Sequence, residues 1–209
     1  GAALEILEKL APDLIVVVAY GKLLPREILE VPGLGCVNIH ASLLPKYRGA
    51  APVQWAVLNG EKVTGVTSMY MAQELDSGDI IANMFTNIGE DETSGELFER
   101  LGNMGAELLS RTVAAIENGT AQRIPQNESE ATYAPMLSRE MAPIDWSKPP
   151  AAIKNHVRGM QPWPGAIAIW NGKKFKIFKL REVSQKTDRP DGSIVEADKN
   201  GLFVACGGG

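Results

Sequence analysis

A continuous apolar run near the start of the chain constrains its fold more than any other feature. Residues 14–19 read LIVVVA, and four of these six side chains are β-branched. A run that lacks the polar–apolar alternation of a half-exposed strand is typical of a parallel strand buried on both faces. The segment is therefore predicted to be a central strand of a sheet.

Strand and helix patterns alternate after this run. Pro52 begins a short predicted helix, and a capping box formed by Thr93 and Glu96 begins a long amphipathic one. Such alternation predicts an α/β domain with a Rossmann-like, mostly parallel sheet. Residues 3–10 read as the end of a helix, so earlier βα units are expected to precede them. Further strands are predicted at 36–39, 66–71 and 79–85.

The last part of the chain has a different pattern. Residues 127–148 are polar and interrupted by prolines, as expected of a linker. The α/β domain is accordingly predicted to cover residues 1–126. Residues 149–209 are predicted to be a small OB-like β-barrel that stops before its last strands.

Two hairpins support the prediction of a barrel. Asn171-Gly172 and Asn200-Gly201 are dipeptides typical of tight turns between antiparallel strands. A short helix is expected before the first hairpin, at 151–158. The strands expected around the two turns are residues 166–170, 173–183, 193–197 and 202–206.

Composition excludes several other classes of protein. Apolar residues make up 44% of the chain and charged residues 22%, which is ordinary for a globular protein. No run approaches the roughly 18 apolar residues that a membrane-spanning helix needs, and no secretory signal pattern opens the chain. Cys36 and Cys206 lie far apart, without the spacing of a disulfide framework or a zinc site. We therefore expect a cytoplasmic protein without a bound metal.

Charge is distributed unevenly, although the net charge is only −4. Residues 1–147 carry 10 Lys and Arg against 20 Asp and Glu, whereas residues 148–189 carry 10 against two. An acidic body followed by a basic segment suggests that one part binds a small molecule and the other contacts a polyanion. The alternative is a solvated, lysine-rich sheet face without a partner.

The densest group of chemically capable residues is the segment VNIHASLLP at 37–45. Asn38 and His40 lie two residues apart at the end of a predicted strand, so their side chains point to the same side. The C-terminal edge of a parallel sheet is where α/β proteins build their sites. A histidine can exchange a proton, and an asparagine amide can donate to a developing oxyanion. These groups suit acyl or formyl transfer in which the substrate's own amine attacks.

The neighbouring residues leave alternatives open. Asp76 lies in a predicted loop, where its carboxylate could hydrogen-bond the His40 ring or could simply form the turn before Ser77-Gly78. The segment KYRG at 46–49 could contact an anion, such as a glutamate tail or a phosphate, or could form an exposed loop. A lone histidine at a strand end could also be purely structural.

A basic strand is predicted in the later segment. Lys174 and Lys176 alternate with Phe175 and Ile177, so one face is expected to be basic and the other buried. A basic face on a small barrel suits contact with an RNA backbone. Trp163 lies between two prolines and is interpreted as packing at a domain junction rather than as a base-stacking platform.

Three stretches of the chain resemble the folate-dependent formyltransferase family. The resemblance covers nearly the whole chain, and the first stretch is the most specific for the family. It implies that residues 1–126 are a catalytic domain and that the barrel at 149–209 helps to bind tRNA. The stretches are NIHASLLPKYRGAAPVQWA at 38–56, ELDSGDI at 74–80 and IDWSKPPAAIKNHVRGMQPWPGA at 144–166.

The resemblance also implies roles for individual residues. The family's catalytic Asn, His and Asp fall on Asn38, His40 and Asp76. In the implied mechanism, a methionyl amine attacks the formyl carbon of 10-formyltetrahydrofolate, while Asn38 and His40 stabilise the oxyanion and move protons. Asp76 orients His40 and favours its charged form. The family's folate contact falls on Ser42, Leu43, Leu44 and Pro45.

By the same resemblance, the acceptor is initiator Met-tRNA and the protein is a monomer. GAAP at 49–52 and ELDSGDI at 74–80 favour this acceptor. A relative that formylates an amino sugar nucleotide, or that hydrolyses or oxidises formyl-folate, would share the same Asn, His and Asp. A non-catalytic RNA-binding module would explain the basic segment at 148–189, but it gives no reason for the cluster at 38–40.

Overall fold

The computed structural model describes residues 2–199 and 201–208. None of the helices in these residues is long and apolar enough to cross a membrane. The elements of the first part of the chain are α1 (Ala2–Leu10), β1 (Ile15–Val17), α2 (Arg26–Leu29), β2 (Cys36–His40), α3 (Pro52–Leu58), β3 (Val63–Tyr70), β4 (Ile80–Asn87) and α4 (Ser94–Glu117). Those of the last part are α5 (Pro150–Gly159), β5 (Ala166–Trp170), β6 (Lys173–Ile177), β7 (Ile194–Asp198) and β8 (Gly201–Val204).

The chain folds into two compact units. The first unit contains most of the residues up to Met136. The second contains the residues after Met136 and two short segments from earlier in the chain. The limits predicted at residues 126 and 148 stay a prediction. The first unit comprises Gly1–Val53, Lys62–Ile88 and Leu97–Met136, and the second comprises Gln54–Glu61, Gly89–Glu96 and Leu137–Gly209.

The sheet of the first unit has the strand order β1-β2-β3-β4. The α/β class is confirmed, but the sheet is mixed rather than mostly parallel over the described residues. β1 pairs with β2 in parallel, whereas β2–β3 and β3–β4 are antiparallel. The connection between β3 and β4 is too short to contain the crossover helix that a parallel pair requires, which explains the direction of that pair.

The apolar run at 14–19 forms β1, as predicted, but it is not buried on both faces. Val16 is 40% exposed and Val18 is 57% exposed. β1 stands at one end of the described strand order, and α1 buries none of its own residues. A strand in that position lacks the packing on both faces that the prediction assumed.

Part of the core of the first unit packs around β2. Val37 is fully buried and packs with Tyr70, Ile81 and Ile116, which belong to β3, β4 and α4. A Cβ placed at Gly105 of α4 would lie 3.1 Å from the Ile39 Cγ2 atom, so this helix passes very close to β2. The sheet and α4 together hold β2, and with it the segment that follows, in a fixed position.

The start of α4 confirms the predicted capping box. The backbone N–H of Thr93 donates to the Glu96 carboxylate over 2.8 Å, and the Glu96 N–H donates to the Thr93 hydroxyl over 3.3 Å. These two bonds satisfy backbone donors that a helix leaves unpaired at its first turn. The helix then continues to Glu117.

The second unit contains the predicted hairpins. β5 pairs with β6 and β7 pairs with β8, both antiparallel, and Asn171 and Gly172 have the positive φ values that a tight turn requires. Asn200, in the other predicted turn, lies outside the described residues. The two hairpins form separate two-stranded sheets in the described chain, and closure into a barrel stays a prediction.

The strand with the alternating lysines differs from its prediction. β6 ends at Ile177 instead of continuing to residue 183. Phe175, expected on a buried face, is 45% exposed, because its contact with the tilted Trp170 ring covers only part of its surface. Trp163 is 49% exposed, and its interpretation as a packing residue stays a prediction.

Candidate active site

His40 is the last residue of β2 and is 6% exposed. Its Nε2 atom lies 2.9 Å from the backbone carbonyl oxygen of Tyr47. Tyr47 has a φ of 62°, in the left-handed region that most non-glycine residues avoid. The loop after the strand is therefore bent back so that one of its carbonyl groups holds the ring of the histidine.

Asp76 lies beside the other nitrogen of the same ring. Its Oδ2 atom is 3.6 Å from His40 Nδ1, and the same oxygen accepts the backbone N–H of Gly49 over 2.8 Å. Asp76 also has a positive φ, of 48°. The loop between β3 and β4 thus carries a strained residue whose carboxylate is fixed next to His40.

These contacts determine which nitrogen of His40 carries a proton. A carbonyl oxygen can only accept, so the contact with Tyr47 requires hydrogen on Nε2. In the neutral ring Nδ1 is then unprotonated and faces the Asp76 carboxylate. A proton received at Nδ1 produces an imidazolium that the nearby negative charge stabilises. The pair can therefore accept a proton from a substrate and return it.

Asn38 lies on the same strand as His40 and is half-buried. Residues two apart in a strand project from the same face, so Asn38 lies next to His40 along β2. Its register partner on β3 is Met69, and that of His40 is Thr67. An amide at this position can donate to a charge that develops beside the histidine.

The four residues with the expected folate contact form the turn after β2. Ser42 is 1% exposed and its hydroxyl donates to the Lys46 carbonyl oxygen over 2.6 Å, while Leu44 packs against Met69 and Ile80. The two other members of the group, Leu43 and Pro45, are half-buried. The buried side chains of Ser42 and Leu44 therefore stabilise the turn. The contact with folate stays a prediction.

Thr67 of β3 fastens the same turn to the sheet. Its hydroxyl donates to the Ser42 carbonyl oxygen over 2.6 Å and accepts the Leu44 N–H over 3.2 Å. Thr67 is fully buried and is the register partner of His40. The position of the turn is consequently fixed relative to the histidine.

Both alternatives considered for Arg48 are wrong. Its side chain is only 2% exposed, and its guanidinium donates to the carboxylate of Glu128 and to the side-chain oxygen of Gln126 over 2.7–3.1 Å. Hydrogen bonding to Arg48 lowers the pKa of the Glu128 carboxyl, and the same bond raises the pKa of Arg48. The arginine thus forms a structural ion pair within the protein and is not a ligand for a glutamate tail or a phosphate.

The structure adds three partners that the sequence analysis did not identify. Tyr47 and Gly49 contact the His40–Asp76 pair through backbone atoms, which carry no side-chain signature. Gln126 donates its side-chain amide to the carbonyl oxygens of Asp76 and Gly78. It is the last residue of the predicted α/β domain, next to the segment predicted to be a linker, and nothing in the local sequence distinguishes it.

Comparison with known families accounts for this arrangement. The family model described as formyl transferase matches residues 2–113, and the one described as formyl transferase, C-terminal domain, matches residues 136–209. The chain belongs to the formyl transferase family. The first of these matches contains every residue of the candidate site except the Gln126–Glu128 part of the Arg48 network.

Two curated relatives of this formyl transferase carry the same name, methionyl-tRNA formyltransferase. The one from Alkaliphilus oremlandii is 49% identical over 201 residues, which cover 96% of this chain and 65% of the relative. The one from Acetivibrio thermocellus is 48% identical over 204 residues, which cover 97% of this chain and 66% of the relative. The chain thus spans about two thirds of the length of these relatives.

Solved structures resemble this formyl transferase in fold. A 4-N formyltransferase from Francisella tularensis superposes with a TM-score of 0.70 at 25% identity, covering 82% of this chain and 72% of that one. HypX from Aquifex aeolicus, solved in complex with tetrahydrofolic acid, has a TM-score of 0.72 at 20% identity and covers 97% and 36%. At that identity, the likeness to HypX shows the fold alone.

Proposed function

We propose that this formyl transferase moves the formyl group of 10-formyltetrahydrofolate to the amino group of methionine on initiator tRNA. The observation that carries the proposal is the fixed His40–Asp76 pair at the end of β2. Relatives about half identical to this chain and named methionyl-tRNA formyltransferase support the choice of acceptor. Membership of the formyl transferase family, which the chain's motifs resemble in its folate-dependent members, supports a folate as the donor.

The proposed reaction begins at the amine. Its nitrogen lone pair attacks the formyl carbon, a C–N bond forms, and the carbonyl electrons move to the oxygen. The amide of Asn38 donates to this oxyanion, and the positive charge of the His40 ring adds to its stabilisation once the ring has accepted a proton. The tetrahedral intermediate then collapses, the bond between the formyl carbon and folate N10 breaks, and the products are formyl-methionyl-tRNA and tetrahydrofolate.

The proton lost by the amine takes a defined route in this proposal. It is received at Nδ1 of His40, because Nε2 already donates to the Tyr47 carbonyl oxygen. The Asp76 carboxylate, 3.6 Å away, stabilises the resulting imidazolium. The proton is then delivered to N10 of the departing folate, so no proton is gained or lost overall.

The remaining residues and partners complete the proposal. Asn38, His40 and Asp76 are the catalytic residues, and Ser42, Leu43, Leu44 and Pro45 form the turn along which the folate binds. The basic segment at 148–189 contacts the tRNA backbone. The protein acts in the cytoplasm as a monomer.

A comparison of two candidate acceptors tests the proposal. The full-length protein is incubated with 10-formyltetrahydrofolate and either charged initiator Met-tRNA or an amino sugar nucleotide, and the formylated products are separated and quantified. We expect formyl-methionyl-tRNA and no formylated sugar. Formylation of the sugar alone would overturn the acceptor, and consumption of formyl-folate without transfer would indicate a hydrolase.

The histidines supply a matched pair of variants. His40→Ala is expected to lower kcat by about 100-fold or more, the usual contribution of a positioned acid–base group. The chain's other histidine, His156, contacts the Ala142 carbonyl oxygen in the second unit, so His156→Ala is expected to retain kcat at saturating tRNA. Near-normal turnover of His40→Ala would contradict the proposed role of His40.

A further inference from the structure

A segment far along the chain packs against the loop that follows His40. The N–H of Arg48 donates to the Thr132 carbonyl oxygen over 2.8 Å, and the N–H of Ala134 donates to the Arg48 carbonyl oxygen over 2.7 Å. The N–H of Tyr47 donates to the Thr132 hydroxyl over 2.9 Å. This 126–134 segment therefore holds the loop that supplies both backbone partners of the His40–Asp76 pair.

The side chain of Arg48 joins the same segment a second time. Its guanidinium reaches the beginning of the segment, where the side chains of Gln126 and Glu128 accept its hydrogen bonds. The arrangement with Glu128 is bidentate, which fixes direction as well as distance. Because the guanidinium is buried, the position of the Gln126 side chain is tied to the interior of the unit.

Gln126 connects this arrangement to Asp76. Its Nε2 atom donates to the carbonyl oxygens of Asp76 and Gly78 over 2.7 and 2.8 Å, while its Oε1 atom accepts from Arg48. The orientation of the amide is unambiguous, since carbonyl groups only accept and a guanidinium only donates. Both hydrogens of the amide are therefore used to hold the backbone on either side of Ser77.

The backbone at Asp76 is the part of this loop that needs such support. Its φ of 48° lies in a region where a non-glycine residue persists only when its surroundings hold it. Gln126 holds the carbonyl group of this residue, and Gly49 holds its carboxylate. Without the first contact, relaxation of the backbone would carry the carboxylate away from His40.

We propose that Gln126 is a positioning residue for formyl transfer, which keeps the Asp76 carboxylate beside His40 by holding the backbone of residues 76–78. The inference rests on the proposed function for its catalytic consequence. Its structural part, control of Asp76 by Gln126, can be measured without any turnover. The side-chain hydrogen bonds of Gln126 join it to Arg48 and to the carbonyl groups of Asp76 and Gly78, so its proposed effect on the reaction passes through Asp76.

Two substitutions separate the donor role of Gln126 from its bulk. Gln126→Glu keeps an acceptor for Arg48 but removes both hydrogens that the loop carbonyls require, and Gln126→Met removes donor and acceptor without adding charge. We expect each variant to lose about 10- to 100-fold in kcat, the range in which small displacements of a catalytic group fall. The KM for formyl-folate should stay within about threefold. Gln122→Glu, an exposed site with the same charge change, is the matched control and should retain kcat.

A double-mutant cycle tests whether the effect passes through Asp76. In an Asp76→Ala background, Gln126→Met should cost less than about twofold in kcat, because the group it positions is already absent. Losses that multiply in the double variant would overturn the positioning role and indicate an independent structural effect.

Hydrogen exchange of the Gly49 amide is the readout that needs no turnover. This N–H donates to Asp76 Oδ2, so its protection reports the position of the carboxylate. We expect exchange to become about 10-fold faster in both Gln126 variants and to be unchanged in Gln122→Glu. Unchanged Gly49 protection would overturn the inference. If the wild-type protein transfers no formyl group, the proposed function fails, and the Gly49 result still decides whether Gln126 controls Asp76.

Discussion

At the scale of single residues, the candidate site is a histidine whose two ring nitrogens have different partners. A backbone carbonyl holds Nε2 of His40, and a carboxylate faces Nδ1. The first contact is available whether or not the ring carries a second proton, while the second can become a hydrogen bond only when Nδ1 carries one. The asymmetry assigns the mobile proton to Nδ1, which makes the charge of Asp76 more important than its shape.

Replacing that charge without changing the shape is therefore a sharp test. Asp76→Asn keeps an oxygen that can accept the Gly49 N–H, but it cannot stabilise an imidazolium. We expect kcat for formyl transfer to fall by about 100-fold or more while the unfolding temperature changes little. Asp79→Asn, a neighbouring carboxylate that pairs with Arg123, is the matched control and should retain activity. An Asp76→Asn variant within twofold of wild type would contradict the assignment.

Gly49 is required for a separate reason. Its φ is 118°, and a Cβ at this position would lie 2.8 Å from the backbone oxygen of Ala134. We expect Gly49→Ala to lower the free energy of unfolding by about 1–3 kcal/mol, as strained backbone positions do, and to reduce kcat by displacing the donor to Asp76. Chemical denaturation and the transfer assay measure the two effects.

Substitution of a second glycine, Gly102, is expected to stabilise the protein instead. Gly102 lies exposed within α4, and a Cβ there would meet no atom within 4 Å. Gly102→Ala should therefore stabilise the protein by about 0.5–1 kcal/mol, because alanine loses less backbone entropy in a helix. A Gly49→Ala variant as stable as Gly102→Ala would contradict the expected clash between a side chain at residue 49 and the Ala134 backbone.

The sequence allowed us to predict which side chains could do chemistry, but not what holds them. His40 and Asp76 were found from their residue types and their places in the predicted elements. Their partners at Tyr47 and Gly49 are backbone atoms, which any residue could supply. Arg48 was misjudged because burial of a charged side chain depends on Glu128, a residue remote in sequence, and no local pattern indicates that pairing.

At the scale of secondary-structure elements, predictions that depend on neighbouring residues in the sequence were confirmed, whereas predictions that depend on packing against other elements were wrong. The capping box at Thr93 and the turn at Asn171-Gly172 depend on neighbouring residues alone, and both are present. Burial of β1 depends on what packs against it, and the mixed character of the sheet depends on which strands pair and how they are connected. Periodicity carries no information about a neighbour, so these features were predicted incorrectly.

The capping box also makes the start of α4 sensitive to pH. Hydrogen bonds from the Thr93 backbone N–H, and then from its hydroxyl, lower the pKa of the Glu96 carboxyl below its ordinary value of 4.5. A carboxyl whose pKa is lower in the folded state stabilises the fold above its unfolded pKa, and it loses that effect as pH falls through the folded value. The helix start should therefore weaken in acid.

Glu96→Gln tests this dependence. We expect the variant to unfold at a lower temperature than wild type at pH 7, and the two proteins to converge at an acid pH below the lowered pKa of Glu96. Glu99→Gln, an exposed position of the same helix, is the control and should follow wild type at both pH values. A difference that persists unchanged in acid would show that the charge of Glu96 does not act through the capping box.

At the scale of the whole molecule, the separation of charge is the feature that bears on the proposed tRNA substrate. The basic segment at 148–189 includes β6, whose lysines are exposed. Each phosphate neutralised by a lysine releases counterions, so binding to tRNA should weaken as salt rises. Only part of this was open to prediction, because the sequence indicates the charge but not the surface on which it is displayed.

Charge reversal on β6 measures this contribution. Lys174→Glu combined with Lys176→Glu should weaken tRNA binding and reduce the slope of log K against log salt by about 1–2, or roughly 0.7–0.9 for each phosphate that a lysine no longer neutralises. Lys62→Glu, an exposed lysine of the first unit, should leave the slope unchanged. A slope unaffected by the double reversal would remove β6 from the proposed tRNA interface.

The close approach of Ala134 to Gly49 has a consequence for how the protein matures. A ribosome delivers the chain from its N-terminus, so His40 and Asp76 emerge well before the 126–134 segment. Until that segment arrives, its hydrogen bonds to the loop at Gly49 and to the carbonyl group of Asp76 cannot form. The nascent protein therefore carries its proposed catalytic side chains before the contacts that position them can form, and the arrangement of His40 and Asp76 described above requires residues up to 134 to have left the ribosome.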